Sequence, residues 1–254
     1  MITLTVLIPT NRISESTLRT VKSISYSDIT FEVLIVIDSR AEINSDVVEN
    51  LQTIRSVRLL KSTNRPGIAQ TLNYGLQHAT GEFILRIDDG DLNLRTDLLE
   101  EFELLKHCDL VCAPMLSICQ HRNKSFITKP SLIYREGHLS PFSRIPHPTW
   151  IFRRTAIIEL YQDQDHRCED FGFLVRNKFQ IGQIDKVAIE YDVSSSLNYT
   201  SELKSAWAKW TICFECYKFH WIMLECTLYV FIRSLRLTLT TKKVLNKCPN
   251  FKIR

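Results

Sequence analysis

Residues 81–91, GEFILRIDDGD, set a short apolar run, Phe83 to Ile87, between two glycines and close it with three carboxylates, Asp88, Asp89 and Asp91. A run of that length with those flanks reads as a buried strand, interrupted only by Arg86. Its acids emerge at the C-terminal end of the strand, where open α/β sheets hold their ligands. Carboxylates crowded on one turn repel one another unless solvent or a cation screens them, and hard oxygen donors suit Mg²⁺ or Mn²⁺. Taken alone, the same turn also reads as a solvated acidic loop, so its surroundings carry the decision.

Working outward, residues 2–8, ITLTVLI, form an aliphatic run that stops at Pro9, which predicts a first strand and a turn. A helical face follows in Leu18, Val21 and Ile24, then an apolar strand from Phe31 to Ile37 that ends at Asp38. Val48, Leu51 and Ile54 mark a helix over 45–55, and Val57 to Leu60 reads as a third strand. Ile68, Leu72 and Leu76 mark a helix that starts after Pro66-Gly67 and delivers the chain to Gly81. Strand and helix thus alternate four times in the first 90 residues, with strands apolar on both faces. The fold class expected is α/β, a doubly wound, mostly parallel sheet. No GxGxxG joins any strand to a helix, which excludes the dinucleotide-binding form. Further on, the patterns predict helices over 94–106, 155–161 and 171–179, and strands over 110–114 and 187–191.

At 254 residues, with 44% hydrophobic and 24% charged side chains, the chain has the means for one substantial core. Its net charge of +4 is unevenly spread. Residues 201–254 hold ten Lys or Arg against three Glu, a balance of +7, which leaves −3 for the first 200. A body over 1–200 and a basic tail over 201–254 are expected, the tail meeting an anionic surface. Trp207, Trp210, Phe214, Tyr217, Trp221, Leu224, Leu228, Phe231 and Leu235 recur at threes and fours, one stripe of a long amphipathic helix. Its most apolar part, Phe219 to Ile232, falls short of the roughly 20 residues that a span needs and carries Glu225. With Arg233, Arg236, Lys242 and Lys243 beyond it, the stripe fits a helix lying in a membrane interface; packing on the body or on a second subunit accounts for it equally well. The first residues, MITLTVLIPTNR, lack a basic leader, so the expected location is the cytoplasm, with the tail on the inner face of the membrane. The eight cysteines read as reduced and partly buried, and the CxxC of Cys213 and Cys216 has no second pair at zinc spacing.

Five segments, in order, resemble the family-2 inverting glycosyltransferases with the GT-A fold: VLIPTNR (6–12), VLIVIDS (33–39), the block 64–91, HPTWIFRR (147–154) and ED (169–170). The resemblance covers about the first 200 residues. It implies a nucleoside diphosphate sugar donor, a UDP-sugar first of all, and a divalent ion, Mn²⁺ or Mg²⁺, at Asp89 and Asp91. Asp88 would stand nearer the ribose, with Arg86 steadying the turn, and Thr10, Arg12, Asp38, Asn64, Arg65 and Asn73 would line the nucleotide crevice. Asp170 corresponds to the family's base, with Glu169 beside it and His147 and Trp150 near the acceptor, where an aromatic face can stack on a sugar ring. By residue type alone, Asp38 reads equally as a helix or turn cap, and helix capping by Asp170 or Glu169 is the favoured reading of that pair.

The chemistry is consistent with that assignment. Inversion at the anomeric carbon needs the acceptor hydroxyl to lose its proton on the face opposite the leaving diphosphate, and neighbouring carboxylates raise each other's proton affinity. One departure stands out: where the family reads R-x-D-x-D-D, an ungapped match puts Gly90 on the second aspartate. The expected acceptor is a glycan carried on a lipid, as in surface polysaccharide or lipopolysaccharide assembly. A catalytically silent relative that binds or scaffolds is the alternative. A nucleotidyltransferase is a weaker one, because PTNR after the first strand holds no glycine.

Overall fold

The computed structural model describes residues 3–119, 124–135, 137–165, 168–192 and 199–217, together with 224, 225, 227–232 and 235. The first half runs β1 (Leu4–Ile13), α1 (Glu15–Lys22), β2 (Phe31–Ile43), α2 (Ser45–Gln52), β3 (Val57–Lys61), α3 (Ile68–His78) and β4 (Phe83–Arg86). Next come β5 (Leu92–Asn93), α4 (Leu99–Leu104), β6 (Leu110–Cys112), β7 (Met115–Cys119), β8 (Lys124–Thr128), β9 (Tyr134–Arg135) and β10 (His138–Leu139). The chain closes with β11 (Ile151–Arg153), α5 (Glu169–Asn177), β12 (Ile181–Gln183), β13 (Ile189–Asp192) and α6 (Tyr199–Tyr217).

Seven strands form the main sheet in the order β12-β6-β11-β4-β1-β2-β3. All neighbours pair in parallel except β11, which is antiparallel to β4 and β6. Side chains alternate between two apolar layers: Leu7, Leu34 and Val36 meet Leu72, Phe152 and Phe173 on one face, while Val6, Ile8 and Ile35 meet Val47, Leu51 and Leu85 on the other. Burial on both faces is why β1 and β2 are written as near-continuous apolar runs. The expected doubly wound sheet is therefore the one observed. A second sheet, β5-β13-β7-β8, sits beyond the carboxylate turn.

Three local expectations fail for identifiable reasons. Residues 155–161 are not a helix beyond a 3-10 turn at Arg154–Ala156. Asn177 Oδ1 accepts the Glu159 amide at 2.8 Å, and Asn73 Oδ1 accepts that of Tyr161 at 2.9 Å, so side chains take backbone groups that a helix would use. The helix expected from residue 94 starts only at Leu99, because the Leu94 amide is spent on Ala188 O at 2.9 Å, extending the β5–β13 pairing. β11 was hidden in HPTWIFRR, since three residues are too few to show a period.

The tail also differs. The expected boundary at residue 200 falls inside α6, and this helix buries Ala206, Ile212, Cys213 and Tyr217 against the body. Nor is the aromatic stripe one face of a single straight helix. Trp210 Nε1 donates to Thr227 Oγ1 at 3.3 Å, whereas 17 residues of helix would separate them by about 25 Å. The chain has turned back, leaving Trp207, Leu224, Leu228 and Phe231 exposed. Among the described residues no helix is long and apolar enough to cross a membrane. Trp221, Arg233, Arg236, Lys242 and Lys243 lie outside the described residues.

Candidate active site

The ends of β1, β2 and the turn after β4 open on a crevice of about 1250 Å³, whose lining includes Thr10, Arg12, Asp38, Arg40, Asp88 and Asp91. The carboxylate turn forms its floor. Asp89 is braced from behind: its Oδ2 accepts the hydroxyls of Thr10 and, at 3.2 Å, of Thr17. Burial outweighs those two bonds and raises its pKa. Asp91 is 4% exposed, and burial followed by the Asp88 charge pushes it up to about 9, against the pull of Arg86. Gly90, between them, has φ +101°, a left-handed conformation that an L side chain resists. An aspartate there would strain the turn.

Arg86 lies beneath the turn, 2% exposed, ion-paired with Asp88 Oδ1, and its Nε and Nη1 have no hydrogen-bond partner. It is thus a fixed positive charge under the crevice. Asp38 is fully engaged: Oδ1 accepts the Arg40 amide at 2.9 Å, while Oδ2 accepts the Gly67 amide at 2.7 Å and the Thr71 hydroxyl at 3.2 Å. Burial works to raise its pKa, but these donors prevail and hold it below the usual carboxylate range. Gly67, at φ +136° ahead of α3, gives the carboxylate close access to the amide. Asp38 is therefore the cap that its residue type allowed, at the crevice edge.

Through Asp88 and Tyr191 this crevice adjoins a second cavity of about 620 Å³, whose lining includes Arg144, His147, Asp170 and Lys209. Asp170 stands in the first turn of α5, its Oδ1 accepting the Phe171 amide at 2.7 Å. Burial raises the pKa of Asp170. Burial and then the Asp170 charge push Glu169 up to about 7. Burial holds His147 well below the ordinary imidazole value, and its Nε2 lies 3.1 Å from the Tyr161 hydroxyl.

The structure sorts the expected residues. Thr10, Arg12, Asp38, Asp88, Asp89 and Asp91 line the crevice, and His147 and Asp170 line the cavity beside it. Asn64, Arg65 and Asn73 do not line the crevice as expected. Arg65 reaches Asp163 at 3.3 Å, Asn64 Nδ2 reaches only the Gln70 carbonyl at 3.5 Å, and both amide ends of Asn73 serve the Tyr161 backbone. Trp150 is fully buried, its ring 4.5 Å from that of His147, and offers no face for a sugar. Arg19, Arg40, Tyr191 and Lys209 were missed. Arg40 follows Asp38 closely enough to have been noticed; Tyr191 and Lys209 come from a second sheet and a helix that no spacing ties to the turn.

Among the described residues no group of three His, Cys, Asp or Glu is placed to hold a metal ion. Yet Asp89 Oδ1 and Asp91 Oδ2 are buried without hydrogen-bond partners. Mg²⁺ and similar ions commonly take one or two protein carboxylates and complete their shell with phosphate oxygens and water. The donor set fits an ion shared with a diphosphate.

The family model described as glycosyl transferase family 2 matches residues 5–175, from the first strand into α5. The chain belongs to that family. Solved structures share the GT-A fold of this glycosyltransferase. Staphylococcus aureus TarS 1–349 in complex with UDP superposes with a TM-score of 0.62 at 16% identity, over 90% of this chain and 70% of that one. The Pyrobaculum calidifontis mannosyltransferase PcManGT, in complex with GDP-Man and Mn²⁺, gives 0.60 at 14% identity over 95% and 80%. At such identities the likeness is one of fold.

Proposed function

We propose that this family-2 glycosyltransferase binds a nucleoside diphosphate sugar, a UDP-sugar first of all, in the crevice and passes the sugar with inversion to a hydroxyl entering the adjoining cavity. The observation that carries this reading is that Asp88 lines both spaces, so that a donor on the acidic turn lies next to Asp170. TarS in complex with UDP or UDP-GlcNAc and PcManGT with GDP-Man support a nucleotide sugar as donor.

In this reading Asp170 accepts the acceptor's proton as the hydroxyl oxygen bonds to the anomeric carbon, and the bond to the diphosphate breaks with its electrons on the leaving oxygen. Asp89 and Asp91 would hold a divalent cation that neutralises the leaving diphosphate. Asp89 Oδ1 and Asp91 Oδ2, buried without hydrogen-bond partners, are the oxygens open to it, whereas Asp88 Oδ1 is paired with Arg86. Arg12, Arg19 and Arg40 on the crevice wall add positive charge for the phosphates. His147, kept neutral by burial, presents a polar edge to the acceptor. The acceptor is a lipid-linked glycan at the inner face of the cell membrane, of the surface polysaccharide or lipopolysaccharide kind. Exposed Trp207, Leu228 and Phe231, together with the basic tail, support that placement.

A donor-hydrolysis screen across nucleotide sugars, with and without Mn²⁺, tests the donor. Asp170→Asn is expected to lower turnover by about 10²–10⁴-fold with little change in UDP affinity; a variant at full rate would remove the base. Asp91→Asn should weaken UDP binding only when Mn²⁺ is present. Replacing Leu228 and Phe231 by Glu should abolish sedimentation with anionic vesicles, and unchanged sedimentation would sink the membrane placement.

A further inference from the structure

The family match ends at residue 175, yet a side chain from beyond it enters the acceptor cavity. Lys209 of α6 holds its Nζ 4.9 Å from the ring centre of Phe171, 5.3 Å from that of Tyr229, and donates to Pro141 O at 3.3 Å. Phe171 is the residue next to Asp170, and α6 is fixed to the body by buried Ala206, Ala208 and Ile212. Two aromatic faces and a carbonyl therefore hold the ammonium at one place on the wall that Asp170 also lines.

We propose that Lys209 is a positioning residue for the transfer: its ammonium is the counter-charge that lets Asp170 stand ionised in the acceptor cavity. The charges that bear on Asp170 can be named element by element. Its own helix brings Glu169 beside it, and the turn after β4 brings Asp88; both are acidic and both oppose ionisation. Arg86 in β4 is already paired with Asp88. His147, Tyr161, Cys168 and Tyr191 surround the pair, His147 being held neutral by burial and the other three protonated well above neutral pH. Arg144 lines the cavity from an exposed position. Lys209 is the foremost of the influences that lower the pKa of Asp170 against its burial. A base must be deprotonated before it can act, so a cation fixed beside it sets the pH at which the enzyme turns on.

The inference rests on Asp170 being the base, and the experiment keeps the two apart. The pH dependence of kcat/KM for donor hydrolysis is measured on the full chain for wild type, Lys209→Met, Lys209→Gln and Lys209→Arg, with circular dichroism to confirm folding. The two neutral variants should move the ascending limb to higher pH by roughly one unit, and the arginine variant should restore it. Limbs that superimpose in any folded neutral variant overturn the role of Lys209. If both neutral variants unfold while Lys209→Arg folds, an unmoved limb in single-turnover assays of wild type with Lys209 acetylated overturns it as well. If instead Asp170→Asn retains full rate, it is the assignment of the base that fails.

Discussion

Asn73 and Tyr161, 88 residues apart in sequence, exchange two hydrogen bonds: Asn73 Nδ2 donates to Tyr161 O at 2.8 Å, and Tyr161 N donates to Asn73 Oδ1 at 2.9 Å. A side-chain amide here replaces a strand neighbour, tying α3 to the irregular segment that leads into α5. Both partners are buried. Asn73→Ala should therefore cost stability, on the order of 2 kcal/mol or more for two stranded backbone groups, and leave UDP affinity unchanged. Urea denaturation and titration calorimetry on one preparation separate the two; a large loss of affinity with stability intact would return Asn73 to the donor site.

Glu32 is the second buried hub, at the opposite end of the sheet from the crevice. Its Oε1 accepts the Thr5 hydroxyl at 2.7 Å and the Thr80 amide at 2.8 Å, and its Oε2 accepts Arg58 Nε at 3.0 Å. Burial raises its pKa, but these bonds prevail and lower it below 4.5. The native state thus favours the carboxylate, and the stability it supplies is complete above the unfolded value and lost as pH falls through the folded one. Glu32→Gln should unfold more readily than wild type at pH 7, and the gap should narrow as the pH falls below the ordinary carboxylate range. A gap of constant size across that range would count against the network.

Glu169 has the opposite sign. Its pKa rises from 4.5 to about 7, so between those values the native state keeps a proton that the unfolded chain has released. Stability falls as pH rises through that window and stays lowered above it. Glu169→Gln, which holds no such proton, should match wild type near pH 4 and melt progressively higher than wild type up to pH 7. Melting temperatures that track each other at every pH would show that Glu169 is not desolvated.

Gly172 allows α5 to pass over the buried pair formed by Asp165 and Arg176, joined at 2.6 and 2.8 Å. A Cβ at this position would lie 2.0 Å from Asp165 Oδ2 and 2.7 Å from Arg176 Nη1. Alanine would gain up to about 1 kcal/mol of helix propensity, but the clash is with a nearly inaccessible ion pair, and overpacking costs about 1–3 kcal/mol or more. The second effect should win, leaving Gly172→Ala less stable than wild type and less active, since α5 carries Asp170. A variant with raised melting temperature would contradict this.

The sequence by itself determined the wound sheet and its acidic turn, because strands covered on both faces must be apolar throughout and the helices between them repeat on a local period. Ordered segments that resemble a family also singled out Asp88 and Asp170, which the fold brings to the walls of adjoining cavities. The sequence could not tell which polar residues of those segments face the crevice. Asn73 turned inward to Tyr161, and Trp150 was buried behind His147. Those outcomes depend on partners tens of residues away, and a hydrogen bond leaves no period in the chain. The arrival of Lys209 on the wall of the cavity that Asp170 lines is of the same kind: only the docking of α6 on the body, through buried Ala206, Ile212 and Cys213, carries that charge there.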